Sequence, residues 1–317
     1  MRTNIELNDR LRKAETDGLC VWGVDSAQRQ VLRRREKSGE LIRVGARCFA
    51  RADYWKRLSH TERFRHYIRT LARIHPHWVF GGPTAAAIHG ISDSRRLMST
   101  VHRMTNRNAM TRGGDIVRCH FIKEMEYVVV DGVRVTTLEK TAFDCSRWLD
   151  LPDALPILEE ILRQRRMGKQ LLERFFLTAS GHHRGKALRA LRYANGRTEN
   201  GGEAYVFGVI VDEGYMPPRL QVPLPCVNEN GNPDRVDFFW RAEDGRTIAG
   251  ELDGRIKYRD PSMYRNGSLP DTIIAEKERE ERVRLVVDAM FRCSFAEALQ
   301  RGPLIRKLDH AGVPKIR

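Results

Sequence analysis

Apolar positions along the chain change period several times, and each change marks an element. Residues 4–16 (NIELNDRLRKAET) read as a short amphipathic helix. A second helix starts where Asp25-Ser26 can cap it, runs through AQRQVLRRREKSG and ends at Gly39. Its apolar positions Ala27, Val31 and Leu32 leave Gln28, Arg29, Arg33 and Arg34 pointing elsewhere. ELIRVGARCFAR follows as two short β-like runs around Gly45, a hairpin pattern. Residues 58–75 form a basic amphipathic helix that stops before Pro76, and WVFGGPTAAAIHG (78–90) reads strand, glycine turn, helix. VRCHFI, EYVVV and VRVTTL are strand-like, whereas LEKTAFDCSRWL and LPDALPILEEILRQRR are helical. From Glu203, EAYVFGVIVDEG is a helix opening at two glycines. RLQVPLPCV is a strand whose prolines favour a sheet edge, and RVDFFW and TIAGEL flank the turn sequence AEDGR.

Mixed periods over 317 residues predict an α+β chain of two or three domains. GHHRGK and NGRTENGG (181–186 and 195–202) are rich in Gly, Asn and charge, which sets a boundary near residue 195. The expected segments are 1–78, 79–195 and 196–317. Charge supports this division. The chain carries a formal +15, yet residues 196–317 hold 19 Lys/Arg against 20 Asp/Glu, while 1–195 hold 37 against 21 and 1–75 alone hold 18 against 9. A basic end joined to a neutral one suggests a polyanion-binding module attached to something else, or else a solvated basic face. The six cysteines are scattered without a CxxC pair, which suits a reducing cytoplasm and argues against a zinc site. No N-terminal signal pattern and no apolar run of membrane-spanning length is visible, so a cytoplasmic protein with no membrane partner is expected.

The basic end has the layout helix, helix, hairpin, which is that of a winged helix. Such a second helix enters the major groove, where Gln28, Arg29, Arg33 and Arg34 can read adenine and guanine edges. Arg43, Arg47 and Arg51 would then contact phosphates of double-stranded DNA. The glycine turn in WVFGGPTAAAIHG could seat a phosphate at a helix N-terminus or serve tight strand–helix packing. His182-His183 sits in a polar stretch and reads as surface.

The C-terminal segment carries the chemistry. In GELDGRIKY (250–258) a strand runs into two carboxylates at i, i+2. If Glu243-Asp244-Gly245 forms a three-residue loop with Gly245 left-handed, residue 242 faces 246. Asp237 then sits opposite Glu251 and Arg235 opposite Asp253, with the three carboxylates on one face. Two unit charges at 4 Å repel by about 4 kcal/mol at an effective dielectric near 20. Solvent, a proton, Arg235 or a divalent cation must offset this. Asp237 and Glu251 suit a hard cation such as Mg²⁺ or Mn²⁺. Such a metal stabilises charge developing on a phosphate and helps generate hydroxide. Lys257 can reach back to hold a water or the phosphate, and Glu203 can complete the site as a ligand or an acid/base group.

The order Glu203, Gln221-Val-Pro, Arg235-Val-Asp237-Phe, Glu251-Leu-Asp253-Gly254, Lys257-Tyr258 resembles the PD-(D/E)XK nuclease fold, a mixed sheet flanked by helices. It is most similar to the small very-short-patch-repair-like endonuclease domains, and Ile274–Glu280 matches the charged helix that follows in them. The resemblance covers roughly 200–300 and implies metal ligation by Asp237 and Glu251, with the helix acid at Glu203. Asp253 stands where the usual motif has Lys, and Lys257 lies four residues later. A domain that keeps the fold without cleaving therefore stays open beside an active nuclease. GELIRVGARCFAR, VFGGPTAAAIHGI and VRVTTLEKTAFD, spanning about 25–145, resemble AbiEi-type antitoxins of type IV toxin–antitoxin systems. That resemblance implies an N-terminal winged-helix repressor joined to an α/β domain, sequence-specific DNA binding, and a cognate toxin as partner in phage defence or autoregulation.

Overall fold

A computed structural model describes residues 2–45, 47–106, 116–227, 231–253 and 269–316, which gather into two compact units, 1–148 with 175–187 and 149–174 with 188–317. The segment 149–174 therefore groups with the C-terminal part rather than with the middle of the chain.

The first unit begins with helix α1 (Arg2–Thr16), strand β1 (Val21–Trp22), helix α2 (Ser26–Lys37) and the hairpin β2 (Leu41–Val44) and β3 (Cys48–Arg51). Asp25 caps α2 by accepting from the Gln28 N–H at 2.8 Å. Gly39, left-handed at φ 79°, follows where the sequence placed the stop. The hairpin pairs Arg43 with Phe49 and Val44 with Cys48, and the antiparallel sheet has the order β1-β3-β2. Leu7 and Leu11 of α1 pack with Val21, Leu32, Leu41 and Phe49 into one core. Of the three expected core positions on α2, Leu32 is buried and Val31 half-buried, but Ala27 is exposed because it lies in the first turn.

Helices α3 (Ala52–Arg57) and α4 (His60–Ile74) follow, the latter opened by a Ser59/Glu62 capping box. Then come β4 (Val79–Phe80), α5 (Gly82–His89), β5 (Val101–Thr105), β6 (Val117–Phe121), β7 (Val128–Val130), β8 (Val133–Val135) and α6 (Leu138–Trp148). They build a mixed five-stranded sheet, β6-β5-β4-β8-β7. Packing accounts for the two glycines of the 78–90 turn. A Cβ on Gly81 would lie 2.3 Å from the Met104 sulfur, and one on Gly82 2.4 Å from the Trp148 ring.

The helices α7 (Leu151–Arg163), α8 (Lys169–Thr178) and α9 (Arg184–Tyr193) lead to α10 (Gly201–Asp212), capped by Asn200. The second unit then forms β9 (Arg219–Val227), β10 (Pro233–Arg241), β11 (Thr247–Asp253), α11 (Leu269–Arg284), β12 (Ala289–Ser294), α12 (Phe295–Gln300) and α13 (Gly302–Ala311). Its sheet runs β12-β11-β10-β9, so the proline-bearing β9 is an edge strand, as its composition predicts. β10 pairs antiparallel with both β9 and β11, whereas β11 and β12 are parallel. Gly208 of α10 lies so close to α7 that a Cβ would meet the Pro152 backbone at 2.5 Å. From α7, the buried Glu159 accepts N–H bonds from Asn195, Gly196 and Thr198 and so fixes the loop that leads into α10. No helix among the described residues is long and apolar enough to cross a membrane.

Candidate metal centre

The β10–β11 turn has the expected form. Ala242 N–H donates to the Arg246 carbonyl at 2.8 Å, Gly245 N–H to the Ala242 carbonyl at 3.0 Å, and Gly245 is left-handed at φ 88°. The register that follows pairs Phe238 with Gly250 and Phe239 with Ala249. One step further along each strand stand Asp237 and Glu251. The Leu252 N–H donates to Asp237 Oδ2 at 2.9 Å, which fixes the Asp237 carboxylate beside β11.

Gln221 on β9 joins Asp237 to α10. Its Nε2 donates to Asp237 Oδ1 at 3.1 Å and to Glu203 Oε2 at 2.9 Å. Its backbone is left-handed, φ 55°, inside a strand, a conformation that costs a non-glycine residue about 1–3 kcal/mol. Glu203 is buried at the third position of α10, and it also accepts from the Glu199 N–H at 2.7 Å and the Asn200 amide at 2.5 Å. Its Oε2 thus accepts from both Glu199 and Gln221, which ties it to Asp237 through Gln221.

Glu251 is only 4% exposed. Burial pushes its carboxyl above the usual glutamate range, the Arg279 guanidinium opposes that shift, and Asp237 adds to it. Arg279 on α11 donates from two nitrogens to the two Glu251 oxygens, Nη1 reaching Oε2 at 3.1 Å. Its Nη2 also donates to the Arg235 carbonyl at 2.7 Å. Arg292, which β12 sets beside Glu251 in register, lies 3.8 Å from Glu251 Oε2, 3.3 Å from Asp253 and 2.9 Å from Glu276. The repulsion among the carboxylates is thus offset by Arg279 and Arg292. Arg235 does not serve that purpose, because its guanidinium pairs with Glu199. Lys257 lies outside the described residues. The arrangement sets Asp237 beside β11, links it through Gln221 to Glu203, and holds Glu251 with Arg279 and Arg292, while Asp253 joins only through Arg292. Gln221 stood in the Gln221-Val-Pro strand segment and Arg279 in the charged helix 274–280 without an assigned role, and Arg292 carried no signal of its own.

Among the described residues no group of three or more His, Cys, Asp and Glu is arranged to hold a metal ion. Asp237 and Glu251 offer a two-carboxylate, all-oxygen set, which fits Mg²⁺ or Mn²⁺ because such ions keep several waters and bind one or two carboxylates plus a phosphate. A separate groove of about 790 Å³, lined by Arg246, Arg306 and His310 among others, opens along Ala289–Phe291 of β12 and contains none of these carboxylates.

In the first unit the expected DNA-reading side chains diverge. Arg33 and Arg34 are exposed on α2, and Arg47 is exposed at the hairpin tip with φ 71°. Arg29 is half-buried. Gln28 turns inward, its Oε1 accepting from Arg10 at 2.8 Å. Arg43 pairs with Glu36 at 2.9 Å and lies over the Phe49 ring. Arg51 pairs with Glu15 at 3.3 Å.

No protein-family model matches the chain. Two uncharacterized proteins from different strains of Mycobacterium tuberculosis are each 29% identical to it over 217 residues, covering 67% of this chain and 74% of theirs.

Proposed function

We propose that the chain is a DNA-binding protein whose second unit hydrolyses DNA phosphodiester bonds with a divalent cation. The observation that supports this reading is the β10–β11 register, which sets Asp237 and Glu251 one step beyond the Phe238–Gly250 pair on neighbouring strands. Asp237 and Glu251 would hold Mg²⁺ or Mn²⁺, and the metal would supply stabilisation of the phosphate charge and a hydroxide nucleophile. Gln221 and the Leu252 N–H orient the Asp237 carboxylate for that task. Glu203 holds Gln221 in turn.

Delivery to duplex DNA falls to the first unit in this reading. The order α1-β1-α2-β2-β3, with a sheet β1-β3-β2, supports a winged helix. Arg33, Arg34 and Arg47, all exposed, are the side chains we assign to the nucleic acid. A role in phage defence or autoregulation, with a cognate toxin as partner, belongs to the same proposal and rests on the AbiEi resemblance.

A second reading, a regulator that keeps the nuclease fold without cutting, is favoured by one observation. Asp253 occupies the motif's lysine position, and Arg292 holds it. One experiment separates the two: duplex binding and plasmid nicking measured on the same proteins in Mg²⁺ or Mn²⁺. Asp237→Ala should lose nicking and keep binding, whereas Arg33→Ala with Arg34→Ala should weaken binding. Binding without nicking in the wild type would favour the regulator, and nicking by Asp237→Ala at the wild-type rate would refute the site.

A further inference from the structure

Arg279 does something that neither the hairpin nor the charge of the chain requires. A surface arginine on a charged helix ordinarily pairs with acids of its own helix, and Arg279 does reach Glu276 at 3.2 Å, three residues back. Its main grip is elsewhere. Both terminal nitrogens take Glu251, 28 residues away, and one also takes the Arg235 carbonyl. Its side chain is 26% exposed and that of Glu251 5%, so the pair is sheltered from solvent screening. The planar fork of arginine is suited to holding two carboxylate oxygens at once, as lysine is not.

The two oxygens that Arg279 holds are the ones a divalent cation on Glu251 would use. A bidentate guanidinium takes one lone pair on each oxygen and sets a second positive charge beside any bound cation, so it weakens the hold of Glu251 on a metal ion. We infer that Arg279 is a positioning residue that clamps Glu251 and competes with the divalent cation for it, so that the metal binds more tightly as the Arg279–Glu251 contact loosens. This rests on the reading of Asp237 and Glu251 as metal ligands. Opening does not strand Arg279. Glu276 on its own helix and the Arg235 carbonyl on β10 remain as partners. Arg292, 3.8 Å from Glu251 Oε2 and paired with Asp253, Glu276 and Glu280, keeps a second positive charge near the carboxylates throughout.

The test is the affinity for Mn²⁺ alone, read by the loss of its free electron-resonance signal, in wild type, Arg279→Gln, Arg279→Lys and Asp237→Ala. Arg279→Gln removes the competing charge and should bind Mn²⁺ about tenfold more tightly, equivalent to about 1.4 kcal/mol. Arg279→Lys keeps the charge but has one prong in place of two, and should fall between wild type and Arg279→Gln. The lysine variant also decides the matter should the glutamine variant not fold. If neither variant binds Mn²⁺ more tightly than wild type, the clamp is refuted. The Asp237→Ala protein shows which claim has failed. Loss of Mn²⁺ in that variant, with Arg279 variants matching wild type, removes the clamp alone. Mn²⁺ binding unchanged by Asp237→Ala, or absent from every protein, removes the metal-centre reading and the clamp with it.

Discussion

His102 and His120 show what burial does to a titrating group in this protein. Neighbouring strands β5 and β6 set them side by side, and Nδ1 of His102 lies 2.9 Å from Nε2 of His120. The His120 ring stacks on Trp148 with centroids 3.8 Å apart. Burial is the main reason both imidazoles are pushed down to about 4, and nearby cations (Arg118 for both, Arg147 and Lys140 for His120) act in the same direction. The unfolded chain takes up protons near the ordinary histidine value that the fold refuses. Stability from this pair is therefore fully present above about pH 6.5 and is lost as pH falls toward 4. We expect a loss of about 3 kcal/mol for each histidine over that interval, read as a falling urea midpoint. His120→Phe, which keeps the stack on Trp148, should flatten the slope. An unchanged slope would show that the pair does not titrate in this way.

At the scale of elements, the β10–β11 hairpin decides which carboxylates meet. Gly245 sits at φ 88° with nothing within 4 Å of an added Cβ, so Gly245→Ala meets no clash and its cost is conformational. That cost should be about 1–2 kcal/mol, measured as a shift in the unfolding midpoint. No shift would mean the turn is not left-handed there. This hairpin was legible in the sequence because the information is local: a turn sequence ending in glycine, between two strands, sets the register and with it the Asp237–Glu251 juxtaposition. The helix caps at Asp25 and the edge position of β9 were legible for the same reason. What surrounds the carboxylates was not. Arg279 reaches Glu251 from α11, and Arg292 reaches it from a parallel strand that had no pattern of its own in the reading. Either arginine looks, in sequence, like any charge on a solvated face. Gln28 and Arg51 illustrate the converse. Their types suited DNA, yet Arg10 and Glu15 claim them inside the fold.

Across the whole molecule, the excess positive charge lies in residues 1–195. In the near-neutral second unit the arginines are largely committed to its own acids: Arg282 to Asp234, Arg284 to Glu280, Arg301 to Asp212 and Glu213, besides Arg279 and Arg292. In the first unit Arg33, Arg34 and Arg47 remain exposed, in the region that carries the excess positive charge. In the proposed reading, long-range attraction for a polyanion would belong to the first unit and the phosphodiester chemistry to the second. That division makes the metal centre the claim on which the account depends. The most direct measurement is diffraction from crystals soaked in Mn²⁺, with the anomalous signal of the metal located. The account predicts a peak between the carboxylates of Asp237 and Glu251, with Arg279 drawn away from Glu251. A saturating soak that leaves those carboxylates without a peak, Arg279 still on Glu251, would contradict it.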